Sequence, residues 1–527
     1  MTTRLFVNGK VFTGTGEDDF ASAFRITDGA FSWVGDTADV TGEEATDLGG
    51  ATVLPGFLDV HAHPSFTATL ADAVPLLPPD VDSLAALLDR LRAHPDIGTD
   101  RWIEGFGFDE SRYPERRKPT ASDLDAVSAT QPIVVRRCDG HSVVCNSRAL
   151  ELAGITPDTP DPENGRIGRD ASGTLTGLLA ERAAFDAVLA LRPPLKHEEL
   201  VTRLAGLNRR LLARGIVAVD DLMATFVPEP LRLYRDAEQA SLVPQCGLYY
   251  GWTDVRDSGM PDLSNDDRTG RMRVAGLKVL MDGAYSDRTA WTDDAYPGTC
   301  DHGIRTCSDD ELRAAVAWAR RNRIQVAIHA MGDRALHRVV DVVGDEEPWM
   351  GERPSVRLEH ATLFSAELLD RLEASRMSFG VVSHSIFFFA EYDSYARSLS
   401  PQQLAVAYPI RSFYERVPAT ALSSDHPATA WSEADDVFVS IKAAVLRQAH
   451  NGASFNPAEA VTVAQAILLY TGRAAGVSPI EPVGVIRPGA EGTFVVLERD
   501  VFSVPSSEID QVRVAETWVR GERAFRR

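Results

Sequence analysis

Three observations predict an α/β protein: a (β/α)8 TIM-like barrel, a small β-sandwich built from both chain ends, and an inserted lid subdomain. Four short apolar runs each stop at a histidine or an aspartate. From about residue 200 onward, apolar runs of strand length alternate with helical segments, the pattern of a parallel sheet with crossover helices. Both ends of the chain carry short β runs punctuated by Asn-Gly, Asp-Gly and Arg-Gly pairs.

Residues 1–53 open with Leu5-Phe6-Val7 before the turn Asn8-Gly9, then Ala23-Phe24-Arg25-Ile26 before Asp28-Gly29; both dipeptides are strong hairpin signals. Residues 484–527 have the same character, with Thr493-Phe494-Val495-Val496-Leu497, then Glu516-Thr517-Trp518-Val519 and a turn at Arg520-Gly521. The two ends are therefore expected to join in one β-sandwich. Residues 54–64 supply the first barrel strand, and runs 216–221, 243–250 and 274–281 the second to fourth. The fifth to eighth are expected at 324–328, 355–359, 377–383 and 419–422, which completes a barrel over 54–64 and 200–483. Ser308-Asp309-Asp310-Glu311 opens one intervening helix with an N-cap and an acidic first turn. Residues 65–199 are left over, with a helical stretch at 84–93, a strand-like run at 132–136 and a Pro/Gly/Asp-rich stretch at 154–177. So long an insertion is expected to fold as a subdomain of its own, over the active-site face.

The strand ends carry the chemistry. Residues i and i+2 of a strand share a face, so His61 and His63 project together, an arrangement suited to two nitrogens on one metal ion. His329, His360 and Asp425 follow the fifth, sixth and eighth runs. Because barrel strands converge at their C-terminal ends, all five residues are expected at one point. One such residue alone reads as a cap or a satisfied core group; five in register read as a metal site. Lys278 is one of only five lysines and lies inside the apolar run 274–283. A buried ammonium lowers its pKa or takes a partner. Two readings stand side by side: a carbamate, formed with carbon dioxide and bridging two metals, or an ion pair with Asp282 or Asp425.

In the order His-x-His, Lys, His, His, Asp the chain resembles the amidohydrolase superfamily, and more narrowly its YtcJ-like branch, which includes N-substituted formamide deformylases. The stretches that carry the resemblance are LPGFLDVHAHP at 54–64, DGHSVVCNSRAL at 139–150, LKVLMDGAYSDRTA at 277–290, IHAMGDRA at 328–335, RLEHATL at 357–363, SSDHP at 423–427 and GVIRPGAEGTFVVLERD at 484–500. The resemblance implies a metal-dependent hydrolase that cleaves the C–N bond of an N-substituted formamide or related amide with a metal-bound hydroxide. It implies two divalent ions, most simply Zn²⁺, with His61 and His63 on one, His329 and His360 on the other, and carboxylated Lys278 as the bridge. Asp425 would contact the hydroxide and serve as general base. His141, in Asp139-Gly140-His141, would steady the oxyanion or the substrate; a structural histidine is the bland alternative.

Two departures from the branch stand out. Ser383-His384-Ser385 replaces its usual Gln-Pro after the seventh strand, and Val219-Asp220-Asp221 replaces its Val-His-Asp after the second. Both places are expected at the barrel mouth, which makes His384 and Asp220 candidate substrate contacts. Competing readings are a deaminase of a nitrogen heterocycle, an esterase, lactonase or phosphotriesterase using the same binuclear site, and a non-catalytic metal scaffold. Related deaminases usually use one metal and do not need Lys278, which argues against the first.

Composition narrows the partners. Among 527 residues, 76 acidic side chains outweigh 54 basic ones for a net charge of −22, which argues against nucleic acid and against an anionic membrane surface. A small-molecule substrate is the expected partner, with a homodimer as the self-association considered. Five cysteines without Cys-x-x-Cys spacing, and a start that reads as strand and turn, point to a reduced, cytoplasmic protein.

Overall fold

The structure, a computed structural model, describes residues 2–42, 44–480 and 483–527. Met1 and Glu43, in the expected N-terminal β unit, and Glu481 and Pro482, at the end of the expected barrel, lie outside the described residues. Eight parallel strands form the central sheet: β1 (Phe57–Ala62), β2 (Ile216–Leu222), β3 (Gln245–Gly251), β4 (Met272–Leu280), β5 (Gln325–Ala330), β6 (Val356–His360), β7 (Phe379–Ser383) and β8 (Thr420–Leu422). Each pairs with the next in chain order. Their residues are almost all buried, because one face packs inward and the other lies under helices. Strand β3 starts later than expected, immediately after Pro244, which has no N–H to give a ladder.

The seam between β8 and β1 is bridged beyond the strand ends. The Asp425 N–H donates to the His61 carbonyl at 2.8 Å, and the His63 N–H to the His426 carbonyl at 2.8 Å. The sheet is thus a nearly closed barrel. Helices cover it from outside. Asp309–Asn322 begins at Ser308 with the capping box expected from its sequence and buries Leu312, Ala315 and Val316; Asp333–Val343 buries Leu336, Val339 and Val340.

The chain ends meet. A six-stranded sheet interleaves Lys10–Phe12, Phe20–Ala21 and Thr52–Pro55 with Phe494–Leu497, Val514–Val519 and Glu522–Arg526. A four-stranded sheet is built from Thr3–Val7, Ala23–Thr27, Ala30–Gly35 and Thr46–Asp47. Phe6, Phe24, Phe494 and Trp518 belong to one buried cluster; Phe6 stacks on Phe24 at 4.9 Å and Phe494 on Trp518 at 5.6 Å. Asp28-Gly29 and Arg520-Gly521 close hairpins. Asn8-Gly9 does not: Lys10–Phe12 leaves Thr3–Val7 and pairs in parallel with Thr52–Pro55 in the other sheet. The turn chemistry is local, while the pairing partner is chosen by distant residues.

Residues between β1 and β2 form a further six-stranded sheet, in the order Arg166–Arg169, Leu175–Ala180, Ser142–Cys145, Ile133–Arg137, Ile103–Phe108 and Val74–Pro75. This sheet has apolar clusters of its own, around Leu87, Leu91, Ile133 and Val135 on one side and Val143, Leu179 and Phe185 on the other.

Candidate metal centre and active site

The ends of β1, β4, β5, β6, β7 and β8 bring buried nitrogen and oxygen donors together. His61 Nε2 lies 3.2 Å from Lys278 Nζ and 3.3 Å from Asp425 Oδ1, and His63 Nε2 lies 2.8 Å from the same Asp425 oxygen. The His61 and His360 rings are 4.8 Å apart, and those of His329 and His360 4.5 Å. His61, His63 and Asp425 form one group whose ligand atoms fall within 4.8 Å of one another; His61, His360 and His384 form a second. Two donors, His360 and Asp425, have left-handed backbone, φ 68° and 53°, which costs on the order of 1–3 kcal/mol per residue.

The donor chemistry fits a divalent cation. Burial, helped by neighbouring rings and Lys278, holds His61, His329 and His360 well below the ordinary imidazole pKa, in the neutral form that ligates metals. His63 Nδ1, His360 Nδ1 and His384 Nε2 are buried and have no hydrogen-bond partner, and three such orphans in one core need an explanation. Outer contacts fix which nitrogens face in. Glu359 takes His61 Nδ1 at 2.5 Å, leaving Nε2 for the centre, and His329 Nε2 donates to the Gly283 carbonyl at 3.0 Å, leaving Nδ1. Lys278 is buried, its pKa pushed down to about 8 chiefly by loss of water. Among the described residues it forms no ion pair, with Asp282 or with Asp425.

His141 reaches the same place from the inserted sheet. It sits at the tip of the hairpin joining Ile133–Arg137 to Ser142–Cys145, where Gly140 takes φ +76°. Its ring centroid is 5.1 Å from that of His329. The Glu181 carboxylate accepts from its Nδ1 at 3.0 Å. Burial alone would depress this histidine, but Glu181, Asp139 and Asp282 outweigh it and raise the pKa to about 9, so the ring is a cation at neutral pH. His61, His63, Lys278, His329, His360, Asp425, His141 and Glu181 all line one cavity.

Two expectations are corrected. His384 was expected to contact substrate but is fully buried outside the cavity lining: its Nδ1 donates to the Ser423 carbonyl at 3.0 Å and its ring stacks on Phe387 at 4.8 Å. That bond fixes the tautomer and leaves Nε2 with a lone pair beside His61 and His360. Asp220, also expected to contact substrate, is sealed inside the barrel, accepting from Arg357 at 2.7 Å and from the Ser478 hydroxyl at 2.9 Å. Arg357 in turn donates to Glu359 at 2.6 Å, so Asp220, Arg357 and Glu359 form a charged brace behind His61. Arg357 was missed by the sequence reading, although an arginine inside the apolar run 355–359 is itself a signal. Glu181 was missed as well; it lies 40 residues from His141 and no local pattern links them.

Fold and donor set together define a metal-dependent hydrolase of the barrel type. The amidohydrolase family profile matches residues 44–525, and the chain belongs to that family, enzymes that hydrolyse carbon–nitrogen bonds. The chain is 29% identical to N-substituted formamide deformylase of Arthrobacter pascens, covering 100% of this chain and 99% of that protein. It is 27% identical to the putative amidohydrolase YtcJ of Bacillus subtilis, over 98% of each. Among solved structures, an uncharacterized metal-dependent hydrolase from Pyrococcus horikoshii superposes with a TM-score of 0.73 at 24% identity, covering 96% of this chain and 99% of that one, a likeness of fold.

Proposed function

We propose that this enzyme hydrolyses the amide bond of an N-substituted formamide or a related small amide, using two divalent ions, most simply Zn²⁺. One observation carries the reading: Lys278 is buried beside His61 and among the other donors, and among the described residues it forms no ion pair with a carboxylate. A lysine so placed is suited to carry a carbamate that bridges two ions, which a one-ion deaminase does not need. His61, His63 and Asp425 would hold one ion and His329 and His360 the other, with His384 Nε2 available as a further donor. When bound, such ions lower the pKa of water and polarise a carbonyl oxygen.

The chain's own groups do the rest. Asp425 takes a proton from the attacking water at its carboxylate and returns it to the departing nitrogen. The His141 cation, steadied by Glu181, faces the centre as a donor to charge developing on the carbonyl oxygen. Asp220, Arg357 and Glu359 keep the His61 ring in place. In this reading residues 65–199 form the lid, the terminal sheets a β-sandwich beside the barrel, and the reaction is cytoplasmic.

The test is a screen of the metal-loaded enzyme with N-substituted formamides, N-acyl amines and aminated nitrogen heterocycles. Metal-dependent release of an amine with its acid is expected. Ammonia released from a heterocycle, with the amides untouched, would replace this reading by the deaminase.

A further inference from the structure

Among the cations that the inserted subdomain brings to the cavity, Arg136 is one whose side chain forms no ion pair among the described residues. In strand Ile133–Arg137 the last residue, Arg137, turns into the subdomain, where it binds Asp109 at 3.2 Å, Glu110 at 3.0 Å and Asp139 at 2.5 Å. Alternation along the strand sends Arg136 to the opposite side, where it lines the cavity that also holds His61 and Lys278. Its guanidinium lies over Phe66, 4.8 Å from the ring centroid, and beside Phe185 at 5.6 Å. Among the described residues it forms no ion pair and no hydrogen bond. The carboxylates that act on it, Glu104 and Asp186, are ion-paired with other arginines: Glu104 with Arg192 and Asp186 with Arg182 at 3.0 Å. Burial, with Arg192 nearby, lowers the Arg136 pKa to about 10, which leaves it charged at neutral pH.

A half-buried cation whose neighbouring carboxylates are paired with other arginines is costly, and a guanidinium presents paired donors that match a carboxylate. The route from the metal ligands to this cation is aromatic. Phe226 lies 6.4 Å from the His63 ring and 5.2 Å from Phe66, so two phenyl rings separate Arg136 from the donors.

We propose that Arg136 is a carboxylate-recognition residue, and that the preferred substrate is an amide bearing a carboxylate, separated from the scissile bond by an apolar spacer that lies along Phe66 and Phe226. The inference rests on the amide-hydrolysis reading for the word amide, but the subsite itself is measurable without turnover.

Isothermal titration of the metal-loaded protein with 4-phenylbutyrate and its neutral match, 4-phenylbutyramide, tests it. The acid is expected to bind about 10- to 100-fold more tightly than the amide, the range for a hydrogen bond to a charged group. Arg136→Met should erase that preference, and Arg136→Lys should retain part of it, which separates loss of the cation from loss of the fold. Equal acid affinity in wild type and in both variants would overturn the subsite, and would place the acid on the metals instead. Turnover distinguishes the two proposals. Amides cleaved with equal kcat/KM whether acidic or neutral would remove the subsite and keep the hydrolase; acid preference in titration with no amide cleaved would remove amide hydrolysis and keep the subsite.

Discussion

Asp425 is the one residue asked to do two things, to sit among the metal donors and to move a proton. Its Oδ1 faces both His61 and His63, and its left-handed backbone is held by the N–H bond to the His61 carbonyl. Asp425→Asn keeps the size and the hydrogen-bonding capacity but cannot accept the proton. Hydrolysis should fall by about 10²-fold or more, with an unchanged circular dichroism spectrum. Near-normal turnover at neutral pH would show that the proton travels by another route. The candidate metal-ligating histidines and Asp425 were legible because each follows an apolar run, where a polar ligand type is unusual, and Lys278 because it lies inside one. His384 was seen but given the wrong neighbours, since nothing in its sequence says that Ser423, 39 positions on, takes its Nδ1. Asp220 and Asp221 point to opposite sides of their strand and both are buried in hydrogen bonds away from the cavity, Asp220 with Arg357 and Asp221 with Tyr234 and the Ser65 N–H; the Val-Asp-Asp sequence names none of these distant partners.

At the scale of elements, the barrel strands were legible as apolar runs alternating with helical segments, because strands covered on both faces are continuously apolar. Their exact ends depended on single residues such as Pro244. The Asn8-Gly9 turn misled because a turn signal does not specify which strand follows in register. The connection after β5 shows how closely elements approach around the site. Asp282 accepts N–H bonds from Trp291 at 2.9 Å, Met331 at 3.1 Å and Gly332 at 2.8 Å, drawing two loops together beside His329. A Cβ on Gly332 would fall 1.9 Å from the Trp291 carbonyl oxygen, a backbone atom that cannot swing aside. Gly332→Ala should therefore destabilise the fold by about 1–3 kcal/mol or more, read as a lower thermal midpoint with reduced activity. A midpoint equal to wild type would mean that the two loops do not cross so closely.

At the scale of the whole molecule, two parts of the chain build one cavity, the barrel supplying the donors and the insertion supplying His141, Glu181 and Arg136, while the terminal sheets join both chain ends away from it. The joining of the termini was legible in their matching turn-and-strand character. The contribution of the insertion was legible only at His141, because the pairing of its strands over 65–199 is set by contacts far apart in sequence. No helix of the described residues is long and apolar enough to cross a membrane. What unites the molecule functionally is the proposed two-ion centre with Lys278 between the ions. Elemental analysis of protein purified without chelator, alongside its hydrolytic rate and that of Lys278→Ala, tests this most directly. The account predicts about two ions per chain in the wild type, and in Lys278→Ala a loss of bound metal and of activity that short carboxylic acids partly restore. One ion per chain with full activity, or a Lys278→Ala variant that keeps both its metal and its rate, would contradict it.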